Sequence, residues 1–221
     1  MSVKPEIQIT ADGSHTLFVP ELNEHYHSVN GAVQESSHVF INAGLKHCTK
    51  DRIHIFEVGF GTGLNAFLTL LDAQSNNKTI HYTTIEAYPL DKSIVEKLNY
   101  PQLFSQKDRL IYQQLHDAEW NVEVEITPHF FLQKVKVSLL DFDFSLYKAP
   151  FDLIYFDAFA PDKQPEMWTQ EIFNHLFEIT TNNGILVTYC AKGVVRRMMQ
   201  AAGYTVERLP GPPGKREMLR A

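Results

Sequence analysis

Cysteine is scarce in this sequence. Only Cys48 and Cys190 occur in 221 residues, and their separation matches no metal or redox motif. Both thiols read as packing residues of a protein in a reducing cytoplasm. Long apolar runs are missing as well. No stretch approaches the roughly 18–20 uninterrupted apolar residues that a membrane span needs. The opening residues, MSVKPEIQITADGSH, contain no apolar signal-peptide core. Internal repeats, low-complexity tracts and domain-marking linkers are absent. So is excess positive charge: the net charge of −6 argues against an indiscriminate nucleic-acid binder. What remains has the length of one domain with a sizeable core.

The charge that is present is uneven. Residues 190–221 hold seven bases (Lys192, Arg196, Arg197, Arg208, Lys215, Arg216, Arg220) against two acids (Glu207, Glu217), on an otherwise acidic chain. This basic end reads either as a local anion-binding surface or as ordinary solvated helix and strand residues.

The rest of the chain is organised around residues 53–66, IHIFEVGFGTGLNA. Alternating Ile53, Ile55 and Val58 predict a short buried strand. Glu57 precedes three glycines spaced by two: Gly59, Gly61 and Gly63. Leu64, Ala66, Phe67, Leu68, Leu70 and Leu71 then give a helical apolar face. A strand, a glycine turn and a helix N-terminus make a nucleotide-cofactor turn, because backbone N–H groups there approach a ligand closely. Two readings are open. The run from Gly61 to Ala66 matches the G-x-G-x-x-A dinucleotide pattern. However, that fingerprint starts at the strand end, and counting from Gly59 puts Leu64 where the third glycine belongs. An acid just before G-x-G-x-G instead resembles the first motif of S-adenosylmethionine (SAM)-dependent methyltransferases. There the acid lies close to the charged methionine end of the cofactor.

Residues 1–50 are irregular and histidine-rich. They predict a hairpin over 3–18 around Asp12-Gly13, a turn at Asn30-Gly31 and a helix over 32–43. His25 and His27 have no third ligand at recognisable spacing, so surface or hydrogen-bonded histidines are expected rather than zinc. Residues 1–50 are expected to lie as an extension or lid over the cofactor mouth, with 51–221 as the main domain.

A second strand over 79–87 (TIHYTTIEA) ends in Glu86. An acid at that place takes both hydroxyls of a ribose, although a surface acid is the alternative. A short helix over 90–98 follows. Two strands over 120–144 are joined near Thr127-Pro128-His129, the second ending at Asp141. That acid can face an adenine amino group, with Asp143 as its competitor. The run DLIYFDA over 152–158 predicts a central parallel strand that delivers Asp157 to its C-terminal end, where doubly wound sheets bind ligands. Pro161 and Pro165 stiffen the loop beyond it, and Phe159 and Trp168 add flat apolar surface. A helix over 168–179, a fifth strand over 184–190 and a helix over 192–202 closed by Gly203 come next. Strands over 204–209 and 215–219 flank Gly211-Pro212-Pro213-Gly214.

That terminal hairpin resembles class I SAM-dependent methyltransferases, implying an α/β, Rossmann-like, seven-stranded and mostly parallel sheet. EVGFGTGLN at 57–65, DAFAPDKQPEMW at 157–168, KREML at 215–219 and NGAVQESSHVF at 30–40 narrow the likeness. In order, they resemble the methyltransferase domain of the bifunctional MnmC tRNA-modification enzymes, from about residue 17 to the C-terminus. The resemblance implies SAM held by Glu57, Gly59, Phe60, Gly61, Thr62, Gly63 and Asn65, with Glu86 and Asp141 on its nucleoside. It implies methylation of 5-aminomethyl-2-thiouridine to 5-methylaminomethyl-2-thiouridine at the wobble position of a tRNA anticodon loop. Asp157 is expected to position and deprotonate the amine, as in the Asp/Asn-Pro-Pro-aromatic loop of other amino-methyltransferases, while Phe159 and Pro161 hold the base. Trp168, Lys192, Arg196, Arg197, Lys215 and Arg216 are the expected substrate contacts. No metal and no membrane are implied. The family's FAD-dependent oxidase domain is expected to be missing, leaving a cytoplasmic stand-alone domain served by a separate oxidase or by upstream tRNA-modifying enzymes. One departure is Gly-Pro-Pro-Gly before KREML, where a glycine-rich lead-in is the pattern. The rivals are an aminopropyltransferase, a small-molecule amine methyltransferase, a non-catalytic tRNA-binding module and an NAD-dependent oxidoreductase. An aminopropyltransferase needs an acidic pocket for a polycation, whereas the basic end suits phosphate.

Overall fold

A computed structural model describes residues 4–147 and 151–221. Three short strands open the chain: β1 (Glu6–Ile9), β2 (His15–Val19) and β3 (Glu24–His25). They form a small antiparallel sheet of their own. The expected hairpin over 3–18 is there, although Val3 lies outside the described residues. Helix α1 (Ala32–Ser36) runs on into a π-helical turn over Ser37–Asn42. Then come β4 (Arg52–Val58), α2 (Leu64–Asn76), β5 (Thr79–Ile85), α3 (Lys92–Val95) and α4 (Gln106–Asp117). The second half holds β6 (Glu123–Thr127), β7 (Phe130–Val135), β8 (Phe151–Phe156), α5 (Gln170–Ile179), β9 (Thr180–Thr188), α6 (Gly193–Ala202), β10 (Glu207–Pro210) and β11 (Glu217–Arg220).

The main sheet has the order β10-β11-β9-β8-β4-β5-β7-β6. Pairs from β9 through β7 are parallel, and both edges turn antiparallel. β4 shows why the sheet is buried on both faces. Ile53 and Ile55 enter one apolar cluster, and Phe56 and Val58 the other. The first cluster packs α2 and α4 through Phe67, Leu70, Tyr112 and Leu115. The second packs α5 and α6 through Phe173, Leu176, Val195 and Met199. The result is a helix–sheet–helix sandwich whose strand order reverses at β4, between β5 and β8. That reversal opens a crevice at the carboxyl ends of the strands.

Three differences from expectation have physical causes. The sheet has eight strands where seven are implied, because β6 adds an antiparallel edge beyond β7. β7 ends at Val135, well before Asp141. Ser138 caps a tight 3-10 turn there, its hydroxyl accepting from Leu140 N–H, and the chain leaves the sheet. Helix α4 was not anticipated. Its signal is a capping box, in which Ser105 N–H donates to the Asp108 carboxylate at 2.9 Å, followed by buried Ile111, Tyr112 and Leu115.

The N-terminal sheet is tied to the body by polar contacts. His15 N–H donates to Asn99 Oδ1 at 2.8 Å, and Asn99 Nδ2 donates to Gly13 O at 2.8 Å. Tyr100, wholly buried, donates its hydroxyl to His15 O at 2.8 Å. Tyr100→Phe is expected to lower stability by about 1 kcal/mol in urea denaturation. It should also speed amide exchange in β1 and β2 relative to β4. Unchanged exchange there would show that the hydroxyl does not hold the sheet down.

Candidate active site

The turn from β4 into α2 is gripped from several sides. Gly59 N–H and Phe60 N–H both donate to Ile85 O, at 3.1 and 3.2 Å. Tyr112 O–H and His116 Nε2–H both donate to Thr62 O, at 2.6 and 3.0 Å. The Thr62 hydroxyl pairs with His27 Nε2 at 2.9 Å. Burial pushes both imidazoles down to about 4, so both are neutral at physiological pH. Gly61 adopts φ +48°, and a Cβ there would sit 3.1 Å from the Tyr26 ring. Gly63, at φ +70°, caps α2 with no room for a side chain beside His116. The backbone is therefore locked in a left-handed course that glycine alone adopts freely.

A cavity of about 550 Å³ opens over this turn. Its floor is Gly59, Phe60, Gly61 and Thr62 from the turn, with Asn65 from α2. Glu86 and Tyr88 line it after β5, and Ser138, Leu139 and Leu140 after β7. Asp157, Ala158, Phe159 and Ala160 form the wall after β8. The remainder comes from afar: Glu24 to Val29 and Glu35 from the N-terminal region, Tyr189 after β9, and Lys215 from the terminal hairpin.

Glu86 braces the turn: its Oε2 accepts from Gly61 N–H at 3.0 Å and its Oε1 from Tyr88 N–H at 2.8 Å. Asp157 is half-buried, and its Oδ2 accepts from Asn65 Nδ2 at 2.8 Å. Burial pushes its carboxyl up to about 7, and Glu35 adds to the rise while Asn65 and Lys215 oppose it. Phe159 meets Tyr26 edge-on at 5.1 Å. Its carbonyl accepts from Trp168 Nε1 at 2.8 Å.

Nine of the residues assigned to cofactor, catalysis or substrate line this cavity: Gly59, Phe60, Gly61, Thr62, Asn65, Glu86, Asp157, Phe159 and Lys215. The others do not. Glu57 is wholly buried beneath the turn, and Gly63 faces His116 behind it. Asp141 is exposed in the turn after β7, so Ser138 to Leu140 occupy the wall assigned to it. Pro161 stiffens the loop from outside the cavity. Trp168 is core, packed on Phe156 at 4.7 Å and on Phe173. Lys192 is paired with Asp162 at 2.6 Å, and Arg196, Arg197 and Arg216 also lie away from the cavity.

Lys215, an expected substrate contact of the basic end, points inward in the structure. Its Nζ meets Glu35 Oε1 at 2.6 Å and sits 3.8 Å from the centre of the Tyr189 ring. Sequence reasoning missed Tyr26, Glu35 and Tyr189. Glu35 lies inside the NGAVQESSHVF match, and Tyr189 lies just past the carboxyl end of a strand, so both had a signal. Tyr26 had none, because a separate small sheet carries it to Gly61. The cavity is also acidic: among the described residues, Glu24, Glu35, Glu86, Asp157 and Glu166 line it, against the single ammonium of Lys215. Basic character at the chain's end therefore does not set the charge of the cavity.

Residues 102–221 match the family model described as S-adenosyl-L-methionine-dependent methyltransferase. The chain belongs to this family. The methyltransferase is 30% identical over 217 residues to the tRNA 5-methylaminomethyl-2-thiouridine biosynthesis bifunctional protein MnmC of Magnetococcus marinus, a match covering 93% of this chain and 32% of that protein. The protein of the same description from Aeromonas hydrophila is 30% identical over 222 residues, covering 90% and 32%. This chain thus matches the MnmC-type methyltransferase domain and spans about a third of the length of these curated relatives. The crystal structure of MNMC2 from Aquifex aeolicus superposes with a TM-score of 0.81 at 25% identity, covering 99% of this chain and 70% of that one. A spermidine synthase from Thermotoga maritima, at TM-score 0.56 and 11% identity, shares the fold alone. The fold is the class I, Rossmann-like one, with a mixed sheet and a terminal antiparallel hairpin.

SAM is the cofactor of this methyltransferase family, and the residues present fit it. The Gly61 backbone presents a concave face that a side chain would fill, Glu86 stands beside it, and the acidic lining suits a cationic sulfonium. Among the described residues, no helix is long and apolar enough to cross a membrane.

Two predictions follow from this geometry. Gly61→Val forces a branched side chain against Tyr26 at a positive φ. Calorimetry should show SAM affinity lowered at least about tenfold, ~1.4 kcal/mol, with the far-ultraviolet circular dichroism retained. Normal affinity would move the cofactor away from this turn. The second concerns Asp157, whose folded carboxyl is raised from 3.8 to about 7. Between those values the folded chain holds a proton that the unfolded chain has released. Its stabilising contribution is therefore full below the unfolded value and is lost as pH rises through the folded one. Asn carries no such proton, so the melting temperature of Asp157→Asn should rise relative to wild type from mildly acidic to mildly alkaline pH. A constant difference would show that Asp157 ionises as freely folded as unfolded.

Proposed function

We propose that the chain methylates the aminomethyl group of a wobble 5-aminomethyl-2-thiouridine in tRNA, giving 5-methylaminomethyl-2-thiouridine. The observation that carries this reading is Asp157. It lines the cavity at the end of the central strand β8, beside the glycine turn, in a chain matched to MnmC-type domains. Glycines 59 and 61, the backbone of Phe60 and Thr62, and Glu86 would hold the cofactor, with Ser138 to Leu140 against its base. Bound SAM supplies an electrophilic methyl group on a sulfonium.

The chain's own residues handle the amine. An alkylammonium has a pKa of about 10, and only its neutral form has a lone pair to offer. Passing its proton to a carboxyl near 7 is uphill by about 4 kcal/mol in bulk terms. Desolvation of the ammonium in the cavity and the neighbouring sulfonium both reduce that gap. Asp157 accepts an N–H and aims the lone pair. As the N–C bond forms and the S–C bond breaks, Asp157 keeps the proton it took and the product leaves as a secondary ammonium. Phe159 offers a ring face for the base, and Tyr26 and Trp168 hold its position. Arg197 and Arg216 are exposed, and with Arg196 they form no ion pair among the described residues, which supports phosphate contacts there. Residues 1–50 act in this reading as the lid, since Tyr26, His27 and Glu35 close one side of the cavity.

The acidic lining favours one second reading, aminopropyl transfer to a polyamine. The test is transfer of labelled methyl from SAM to tRNA bearing 5-aminomethyl-2-thiouridine, run beside decarboxylated SAM with a diamine. Wild type should methylate the tRNA and form no aminopropyl product. Asp157→Asn should keep its SAM affinity and lose kcat by about 10²-fold or more, with partial rescue as pH rises. Wild-type turnover by this variant would remove Asp157 from the chemistry.

A further inference from the structure

An ion pair stands in the cavity wall. Lys215 Nζ meets Glu35 Oε1 at 2.6 Å, and both residues line the cavity. Glu35 comes from α1, and Lys215 from the turn between β10 and β11, 180 residues later. The pair is held from several sides. Glu35 Oε2 accepts from Ser28 N–H at 2.7 Å. The ammonium sits 3.8 Å from the centre of the Tyr189 ring, and Tyr189 O–H donates to Ala158 O at 2.9 Å. The Glu35 side chain is 8% exposed, whereas 33% of the Lys215 side chain stays open. An ammonium has three N–H groups, and Glu35 is the only hydrogen-bond partner of this one among the described residues.

Charge decides what such a pair can receive. SAM carries a carboxylate and an ammonium on one carbon, at the end opposite its adenosine. Its sulfonium and its ammonium meet acids along the whole lining. Its carboxylate meets the carboxyls of Glu24, Glu35, Glu86, Asp157 and Glu166 and, among the described residues, one cation. Like charges repel it everywhere except at Lys215. The glycine turn has few amides to spare for it: Gly59 and Phe60 N–H donate to Ile85 O, Gly61 N–H to Glu86, and Gly63 N–H to Phe60 O. Glu57, the acid that the resemblance puts near the methionine end, is wholly buried. Direction agrees. The wall runs from Glu86 after β5, past the turn after β4 and Asp157 after β8, to Tyr189 after β9. Strands about 4.8 Å apart put Glu86 and Tyr189 roughly 14 Å from each other.

We propose that the Glu35–Lys215 pair is the seat of the cofactor's amino-acid end, with Lys215 on the carboxylate and Glu35 facing the ammonium. The four charges then alternate in sign, so Lys215 gains a second carboxylate without giving up Glu35. Specificity is the consequence. Lys215 tells SAM from decarboxylated SAM, which lacks that carboxylate and carries one more net positive charge. The acids of the cavity on their own favour the decarboxylated form, so the one ammonium sets the choice between the two. The assignment concerns the cofactor and does not depend on the tRNA substrate proposed above.

Calorimetry with SAM and with decarboxylated SAM, in the absence of any acceptor, tests it. Wild type should bind SAM at least about tenfold more tightly, the scale of one hydrogen bond between charged groups. Lys215→Met should lose that preference, with SAM weakened and decarboxylated SAM bound as well as before or better. Because Met leaves Glu35 unpaired, the double variant Lys215→Met/Glu35→Gln is measured beside it and should lose the preference too. A pair that only pins the hairpin to α1 would weaken both cofactors alike and leave their ratio at the wild-type value. An unchanged ratio in the double variant overturns the proposal, and so does a wild type that binds both cofactors equally. Failure of wild type on the tRNA, with the preference for SAM in place, would remove the substrate and leave Lys215 on the carboxylate.

Discussion

The site depends on how closely β4 and β8 end beside each other. Asp157 N–H donates to Val58 O at 3.2 Å, and a Cβ on Gly59 would lie 3.0 Å from Asp157 O. Parallel pairing in register brings Glu57 opposite Tyr155 and Val58 opposite Phe156, so the next residues, Gly59 and Asp157, leave the sheet side by side. That adjacency puts a glycine turn and a carboxylate on the same rim. It occurs where the strand order reverses, the place at which a doubly wound sheet is open. A side chain at Gly59 would push the two strand ends apart.

The same closeness makes the electrostatics demanding. Glu57, Asp157 and Glu35 gather in and under one cavity with Lys215 as the only ammonium at its wall among the described residues. Burial penalises the charges of Glu57 and Asp157, and these two carboxyls hold their protons toward neutrality. Lys215 is committed to Glu35 and to the Tyr189 ring, so it balances one carboxylate and leaves Asp157 with the amide of Asn65. An acidic interior under a basic terminal surface suits a cationic reacting centre on a polyanionic carrier. For the substrate proposed above, the interior would face the amine and the surface the phosphates.

Completion of the cavity relies on residues distant in sequence. Lys215 from the terminal hairpin reaches Glu35, and His38 Nε2 pairs with Pro210 O at 2.8 Å. Lys163 Nζ, in the loop after β8, donates to Leu22 O at 2.9 Å. The N-terminal region is thereby pinned both to the loop carrying Phe159 and to the last hairpin. The stiff Gly-Pro-Pro-Gly turn, which departs from a glycine-rich lead-in, presents Lys215 to Glu35 from a restrained backbone.

Most of the order of strands and helices from β4 onward, the glycine turn, and the placing of Asp157 at a strand end were legible in the sequence by itself. Each rests on local patterns: alternation in 53–58, glycines with positive φ, and the apolar run 152–158. The terminal hairpin was equally plain, because turn residues separate two short β-rich segments. Helix α4 was not read in the sequence, although Ser105 and Asp108 signal its start, because its apolar stripe is weak. Tertiary structure alone decided the rest. Asp141 left the wall because a serine-capped turn ended β7 six residues early, a competition of local hydrogen bonds against β-propensity. Lys215 turned inward because a buried carboxylate and an aromatic face, 180 and 26 residues away, met it there. Tyr26 reached Gly61 only through the packing of a second sheet. Charge and ring partners of this kind act across space, and no spacing along the chain records which of them will meet.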